Sequence, residues 1–329
     1  MSSLLQNGEK SAAQSALPNV SSGAAIASPS VSDAAWDAAL GYRRFESPGR
    51  RALRRFLRHR LAMFGLAVIL VMAVLAVAAP VVAPYAYYEQ DLARFREGPS
   101  ATHVLGTDSF GRDVLSRLIY GGRVSLSVGL IAVGIYEAIA IVLGALSGYF
   151  GGKVDSIIMR LVDVVMTFPW LIIIIFMVSI LGPSMRNTMI AIGILGWTGP
   201  TRLVRGQILS LREMDFVTAA RSLGASNTRI IIRHVLPGVV APLVVHATFG
   251  VASAILTEAG LSFLGMGVMP PEASWGNMIA QAQELVILER MPWLWVPPGV
   301  CITLSVLAIN FIGDGLRDAL DPRGMVEAR

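Results

Sequence analysis

Long apolar runs separated by short polar segments dominate this 329-residue sequence. A transmembrane helix needs about 20 mostly apolar residues, and six segments have that character. They are 61–82, 124–150, 161–181, 187–203, 239–266 and 293–312. Pro200 interrupts the fourth segment, which is also the shortest of the six. The pattern predicts an all-α membrane protein with six transmembrane helices.

The polar ends of the chain depart from this pattern. Residues 1 to about 40 are rich in Ser, Ala and Pro and carry little apolar surface, so we expect a disordered tail. Eight arginines and a single acid, Glu46, follow in segment 43–60. Such a cluster could bind nucleic acid, but the apolar run directly after it favours a membrane flank that contacts lipid headgroups.

These features predict three parts. A tail with a basic juxtamembrane segment occupies 1–60, a transmembrane domain 61–323 and a short tail 324–329.

Composition narrows the class of protein. Hydrophobic residues form 54% of the chain and charged residues only 15%, whereas soluble domains carry about a quarter charged residues. The single cysteine, Cys301, excludes an intrachain disulfide and a CxxC metal site. No GxxxxGK[ST] phosphate loop and no metal-ligand or nucleophile motif is present, so we expect neither an enzyme nor a chain that binds ATP itself.

The distribution of Lys and Arg predicts the orientation. With the N-terminus inside, the inside segments 1–60, 151–160, 202–236 and 313–329 hold 20 Lys and Arg residues. The outside segments 84–122, 182–186 and 269–292 hold 6. Because positive charge concentrates on the cytoplasmic side, both termini are predicted to be cytoplasmic. This arrangement is typical of a transporter or channel subunit.

One inside loop, 204–237, is too long for a simple connection and its local chemistry predicts two helices. Asp215 can cap the first helix and Ser226 the second. Gly224 suits the left-handed position after a helix end. Pro237 marks the junction with the fifth transmembrane segment.

The predicted hairpin has two chemically distinct faces. Ala219 and Ala220 give it a small-residue face, and Arg221, Arg229 and Arg233 give it a basic one. One interpretation is an amphipathic stretch that lies on the anionic inner leaflet. The other is a docking surface for a cytoplasmic partner, since small side chains let another protein approach the helix backbone.

The hairpin resembles the EAA loop of permease subunits in bacterial ABC importers, in which Glu-Ala-Ala is followed by a spaced Gly and a later Leu-Pro. The matching positions are Thr218, Ala219, Ala220, Gly224, Leu236 and Pro237. Thr218 replaces the family Glu, and His234 stands where Ile is usual. The resemblance implies that these residues, with Asp215 and Arg221, form the loop that couples the permease to an ATPase.

Three further blocks, 103–126, 274–283 and 309–323, are similar to the C-type permease of dipeptide and oligopeptide importers, the peptide/nickel branch. The resemblance implies the ABC importer permease fold in a bacterial inner membrane. It also implies a second, homologous permease subunit, two ATPase subunits that use ATP and Mg²⁺, and an extracytoplasmic binding protein. Expected substrates are dipeptides or oligopeptides, with nickel chelates, glutathione or antimicrobial peptides as alternatives within the branch.

Three acids fall within the apolar segments, where charges are costly and usually face a bundle interior or a cavity. For Glu137 and Glu258, a polar contact between helices and a role in the translocation pathway both remain open. Asp163 is predicted to pair with Arg160, one helical turn away. His246 is expected to be a packing residue. The acids also leave open a secondary transporter driven by an ion gradient.

Two outer segments and one glycine pattern complete the predictions. Segment 106–113 is expected to form a structured loop in which Arg112 pairs with Asp108 and Asp113, in preference to a calcium site. Segment 274–288 is expected to form a short amphipathic helix. The four-residue spacing of glycines at 144, 148 and 152 is compatible with close helix packing.

Overall fold

A computed structural model describes residues 47–321, except for the side chain of Pro48. The predicted tails at 1–40 and 324–329 lie outside the described residues. Within the described part of the chain, the regular elements are helices, and one isolated β-bridge joins Thr107 and Asp113. The all-α prediction is therefore confirmed for this part of the chain.

The first helices follow the basic segment directly. Helix α1 is Pro48–Arg58, α2 is Arg60–Val77 and the short α3 is Ala79–Val82. An irregular stretch with one 3₁₀ turn at Leu92–Arg94 leads to α4, Val114–Phe150, which has 37 residues. Helix α4 is longer than the predicted run because its first ten residues belong to the structured segment before the apolar core.

Four shorter helices follow. Helix α5 is Gly152–Met166, α6 is Trp170–Leu181, α7 is Met185–Leu195 and α8 is Thr198–Leu211. Helix α8 therefore extends eight residues into the predicted inside loop, and the hairpin proper begins after it.

The hairpin runs into the next long helix without a break in helical structure. Helix α9 is Asp215–Ser222 and α10 is Asn227–Ile230. A π-helical turn, Ile231–Val235, joins α10 to α11, Leu236–Phe263. Pro237 gives a physical reason for the π turn, because proline lacks the N–H that would continue the α-helical ladder and its ring crowds the carbonyl four residues back.

The last third contains two short helices and one long one. Helix α12 is Trp275–Ile279, a 3₁₀ turn covers Ala280–Gln283 and α13 is Leu285–Arg290. The predicted single outer helix at 274–288 is thus wrong, because the segment is divided at the 3₁₀ turn. Helix α14 is Pro292–Leu320.

The predicted number of six transmembrane helices needs correction. In residues 47–321, four helical stretches are long and apolar enough to cross a membrane, or five if the bent pair α5–α6 is one span. That pair bends by 83° at Thr167–Pro169. The predicted fourth span is divided between α7 and α8, each shorter than a span. A count of apolar residues does not detect such breaks, although Pro169 was visible within its run.

Helix α4 packs closely against α8, and two glycines permit this contact. A Cβ added to Gly144 would lie 2.6 Å from Cβ of Val204, and one added to Gly148 would lie 2.9 Å from the carbonyl oxygen of Arg205. Nothing lies within 4 Å of such an atom at Gly152, which has a positive φ instead. The predicted glycine packing therefore holds for two of the three positions.

Segment 106–113 is ordered by its own charges. Asp108 accepts hydrogen bonds from the backbone N–H groups of Phe110 and Arg112 and from the Arg112 guanidinium, at 2.8–3.0 Å. Asp113 instead caps α4 through the N–H of Ser116 and lies 2.9 Å from Nδ1 of His103. The pairing of Arg112 with Asp108 is confirmed, and Asp113 has other partners.

Candidate functional site

The first hairpin helix begins one residue differently from the prediction. Met214 is its N-cap residue, with extended backbone and no side-chain cap, and Asp215 is the first helical residue. The prediction of Asp215 as N-cap is therefore wrong. Its carboxylate still lies in the first turn, where the helix dipole favours a negative charge.

The turn between the hairpin helices has the predicted geometry. Gly224 has φ +78°. The N–H of Ala225 donates to the carbonyl of Ala220 at 3.1 Å, and the N–H of Gly224 donates to that of Arg221 at 3.0 Å. These two bonds form a Schellman motif, which satisfies carbonyls that the helix end leaves free. Ser226 then caps the second helix by accepting from the N–H of Arg229.

The inner face of the hairpin packs on α4, α8 and the start of α11. Val217 and Ala220 are its buried residues on α9, Ile230 is buried on α10, and Val235 is buried in the π turn. The whole buried cluster is Ala145, Tyr149, Val204, Ile208, Val217, Ala220, Ile230, Val235 and Val239. The Tyr149 hydroxyl donates to Oδ1 of Asn227 at 2.9 Å, which ties the end of α4 to the hairpin.

The opposite face of the hairpin is exposed and partly apolar. Phe216 and Leu223 point outward, with 43% and 88% exposure. We call Met214, Phe216, Thr218, Ala219 and Leu223 the outer hairpin surface; all five are exposed. An exposed apolar patch of this kind is typical of an interaction site, for a protein or for a lipid surface.

The remaining predicted hairpin residues lie at its edges. Arg221 and Pro237 are exposed, and Leu236 is half-buried. His234 is also half-buried, and its Nδ1 lies 3.5 Å from the carbonyl oxygen of Arg229. His234 therefore contacts the local backbone and does not belong to the buried cluster.

Arg205 of α8 and Arg212, the residue directly after α8, fix the base of the hairpin, and no local sequence pattern predicted either contact. Arg205 forms a two-point ion pair with Asp155 on α5, and one of its bonds measures 2.6 Å. The bond to Asp155 raises the pKa of Arg205, so the pair stays ionised. Arg212 donates to the carbonyl of Gly148 at 2.9 Å.

Asp163 also has a partner other than the predicted one. It pairs with Arg202 on α8, not with Arg160 on its own helix. The Arg160 prediction used only local spacing, and a contact between residues 39 positions apart carries no local signal.

A cavity of about 650 Å³ lies where the two broken helix pairs meet α4 and α11. Its walls include the break between α5 and α6, near Phe168, and the break between α7 and α8, at Gly196 and Gly199. Interrupted helices at membrane depth are tolerated where they line a cavity or are covered by protein. The remaining lining side chains include Tyr136, Trp170, His246, Phe249 and Ser253.

Glu137 lies beside this cavity and bonds to one of its lining residues. Its Oε1 is 2.7 Å from Nδ1 of His246, which connects α4 to α11. The Glu137 residue is only 7% exposed, and its Oε2 has no hydrogen-bond partner among the described residues. His246 is therefore more than a packing residue, because its ring makes a polar contact between helices and faces the cavity.

Glu258 has a different environment. It is fully buried and accepts hydrogen bonds from Ser262 at 2.7 Å and from Ser125 at 3.3 Å. Ser125 also accepts from the N–H of Trp275, so the network joins α4, α11 and α12. Glu258 does not line the cavity, and its geometry is that of a polar contact between helices.

Comparison with known proteins gives a consistent family assignment. A family model described as "Binding-protein-dependent transport system inner membrane component" matches residues 140–325. A second, described as the N-terminal TM domain of oligopeptide transport permease C, matches residues 47–99.

Two relatives and one solved structure show the extent of the similarity. A putative peptide permease protein of Brucella suis is 46% identical over 276 residues, which are 84% of this chain and 91% of the relative. The dipeptide transport system permease protein DppC of Alkalihalophilus pseudofirmus is 42% identical over 277 residues, 84% and 90% of the two chains. A chain of the inward-facing MetNI methionine ABC transporter shares the fold with a TM-score of 0.51 at 18% identity. This match covers 62% of the present chain and 96% of the other. The protein belongs to the family of inner membrane components of binding-protein-dependent transport systems, as a permease of the peptide-transport type.

Proposed function

We propose that this chain supplies half of the membrane pathway of an ATP-driven importer of dipeptides or oligopeptides. A second, homologous permease subunit supplies the other half, and two ATPase subunits use ATP and Mg²⁺ on the cytoplasmic side. An extracytoplasmic binding protein delivers the substrate. The peptide substrate is suggested by the relatives, which are named as peptide and dipeptide permeases.

The outer hairpin surface is the observation that supports the coupling role most strongly. One face of α9 is occupied within the chain by Val217 and Ala220, while Phe216 and Leu223 on the other face have no apolar cover. The sequence lacks a phosphate loop, so the energy must come from another subunit. An ATPase groove that covers Phe216 and Leu223 would provide both the missing burial and the energy.

The contacts of the hairpin allow it to transmit a movement of the ATPases to the transmembrane helices. Arg205 and Asp155 fix its base by a charged pair, and Tyr149 fixes its second helix by a hydrogen bond. Its second helix continues through the π turn into α11, which carries His246 at the cavity. A displacement of the hairpin by the ATPases would therefore move one wall of the pathway, as alternating access requires.

The proposed orientation places the hairpin and both termini in the cytoplasm of a bacterium. It is supported by the 20 Lys and Arg residues of the inside segments against 6 outside. Segment 84–113 then lies on the outer side. Its rigid charge network, around Asp108 and Arg112, suits a surface on which a binding protein docks.

Reconstitution of the complete complex in proteoliposomes tests this function. We expect dipeptide uptake that requires the binding protein, and ATP on the side of the membrane that holds the ATPase subunits. Uptake should be unchanged when proton and sodium gradients are collapsed. A complex with an ATPase that binds but does not hydrolyse ATP serves as the control. Uptake that persists with this control, or that follows an imposed ion gradient, would instead support a secondary transporter.

A further inference from the structure

The cavity beside Glu137 is unusual in the charges that surround it. Among its described lining residues there is no Asp, Glu, Lys or Arg. Its ionisable lining side chains are Tyr136 and His246. The carboxylate of Glu137 is hydrogen-bonded to the His246 imidazole, on the side away from the cavity. The cavity therefore has an aromatic and apolar wall with one acid held just beneath its surface.

The hydrogen bond between Glu137 and His246 determines which ring nitrogen faces the cavity. When Glu137 is ionised its carboxylate can only accept, and Nδ1 of His246 is then the donor to Oε1 of Glu137. In the neutral imidazole this leaves Nε2 as an acceptor. The His246 side chain is 36% exposed while that of Glu137 is 9% exposed, so the ring is the part of the pair that a ligand can reach.

Among the described residues, no lysine or arginine pairs with Glu137, whose ion-pair contact is the His246 ring. Oε2 of Glu137 has no partner among the described residues, although it is buried. A carboxylate at membrane depth is costly unless a positive charge or a set of hydrogen bonds stabilises it. Glu258 shows the contrast, because two serine hydroxyls stabilise that carboxylate.

The aromatic lining of the cavity favours a cationic ligand. Tyr136, Phe168, Trp170 and Phe249 line the cavity, and the faces of such rings attract ammonium groups. An ammonium group could donate to Nε2 of His246 and be attracted by the Glu137 charge behind it. No lysine or arginine lies among the described lining residues to attract a carboxylate.

We propose that the Glu137–His246 pair makes this cavity selective for cations, and that it receives the amino-terminal ammonium of the transported peptide. The cation preference is a property of the cavity itself. The identity of the cation as a peptide amino terminus rests on the proposed function.

The experiment measures the sign of the electrostatic potential in the cavity. Ser253 lines the cavity and is exposed, so Ser253→Cys, made in a Cys301→Ser background, places the only thiol of this chain there, and the complex without Ser253→Cys corrects for thiols of the other subunits. The complete nucleotide-free complex is treated with a cationic and with an anionic methanethiosulfonate reagent of similar size. The ratio of the two reaction rates, corrected for the rates with a free thiol, reports the local charge.

We expect the cationic reagent to react faster, and Glu137→Gln to lower the corrected ratio by about tenfold, since it removes one unit charge within a poorly screened site. Glu258→Gln is the matched control, because it makes the same change in a buried acid of α11 that does not line the cavity. It should leave the ratio unchanged. His246→Gln should keep most of the preference, because the Glu137 charge remains.

Two results would overturn the inference. One is a corrected ratio at or below unity before any acid is changed, a measurement that does not depend on whether Glu137→Gln assembles. The other is an equal loss of preference in Glu258→Gln. Dipeptide uptake by the same complexes is measured in parallel. Uptake without cation preference refutes the cavity inference alone, and cation preference without uptake of any dipeptide refutes the proposed function alone.

Discussion

Gly224 determines the direction in which the second helix leaves the hairpin turn. Its φ of +78° lies in the left-handed region, and no heavy atom lies within 4 Å of a Cβ built at this position. A substitution there would therefore act through backbone strain and not through a clash. For an L-residue, this conformation costs roughly 1–2 kcal/mol, and Asn tolerates it better than β-branched residues.

Gly224→Val is expected to uncouple transport without preventing membrane insertion. The strain should shift the second helix and the Schellman bonds of Ala225 with Ala220, while the apolar spans are unchanged. We expect peptide-stimulated ATP hydrolysis and uptake to fall together, with normal recovery of the chain in the membrane. Gly224→Asn is the control and should retain most activity. Full coupling in the valine variant would contradict this role for the turn.

At the scale of single residues, local chemistry was predictable and distant partners were not. Gly224 and Ser226 follow from rules that involve four or five neighbouring residues, so the turn and the second cap could be predicted. The N-cap is Met214 and not Asp215, because the N-cap is the last residue with extended backbone before the helix. A good capping side chain one residue later does not change that position. The partner of Glu137 is His246, 109 residues away, and no rule of spacing connects them.

At the scale of elements, the crossing of α4 and α8 supports the hairpin. Gly148 lies at this crossing, next to the carbonyl of Arg205 and the side chain of Ile208. The same glycine offers its own carbonyl to Arg212. Close approach of the two helices thus positions both arginines that fix the hairpin base.

Gly148→Ala is expected to destabilise the complex by about 1–3 kcal/mol, the usual cost of overpacking. Its new Cβ would lie 2.9 Å from both the Arg205 oxygen and the Ile208 Cβ, so the helices must separate. Gly134→Ala in the same helix has nothing within 4 Å and should be neutral or slightly stabilising. Thermal unfolding of the two purified variants measures the difference. Equal unfolding temperatures would show that the crossing is looser than described.

Apolar runs predicted where helices occur better than where they are interrupted. Helices α4 and α14 contain the predicted runs 124–150 and 293–312, and α2 and α11 cover most of 61–82 and 239–266, because about 20 apolar residues favour a helix in lipid. The breaks between α5 and α6 and between α7 and α8 depend on how neighbouring helices cover the freed backbone groups. The sequence could not supply that information, and it is these breaks that form the cavity.

At the scale of the whole molecule, one helical stretch connects the hairpin with the cavity. Asn227–Phe263 begins at the hairpin turn and contains His246 and Ser253 at the cavity. The π turn at Ile231–Val235 lies between them and is the least regular part of this connection. The blocks that resemble peptide permeases predicted the fold and the family, but they did not reveal that the hairpin and the cavity share one helix.

The most direct test of the coupling claim is crosslinking from the outer hairpin surface and from the exposed Ser222 beside it. Cysteines at Thr218 or Ser222, in a Cys301→Ser background, carry a thiol-linked photocrosslinker in the complex purified with its ATPase subunits. Ala101→Cys, in the segment predicted to lie outside, is the control. We predict adducts with an ATPase subunit that change between the nucleotide-free and ATP-bound states, and that persist after deletion of residues 1–40. Adducts confined to lipid, or loss of the ATPases with the deleted tail, would contradict the assignment of the hairpin as the coupling element.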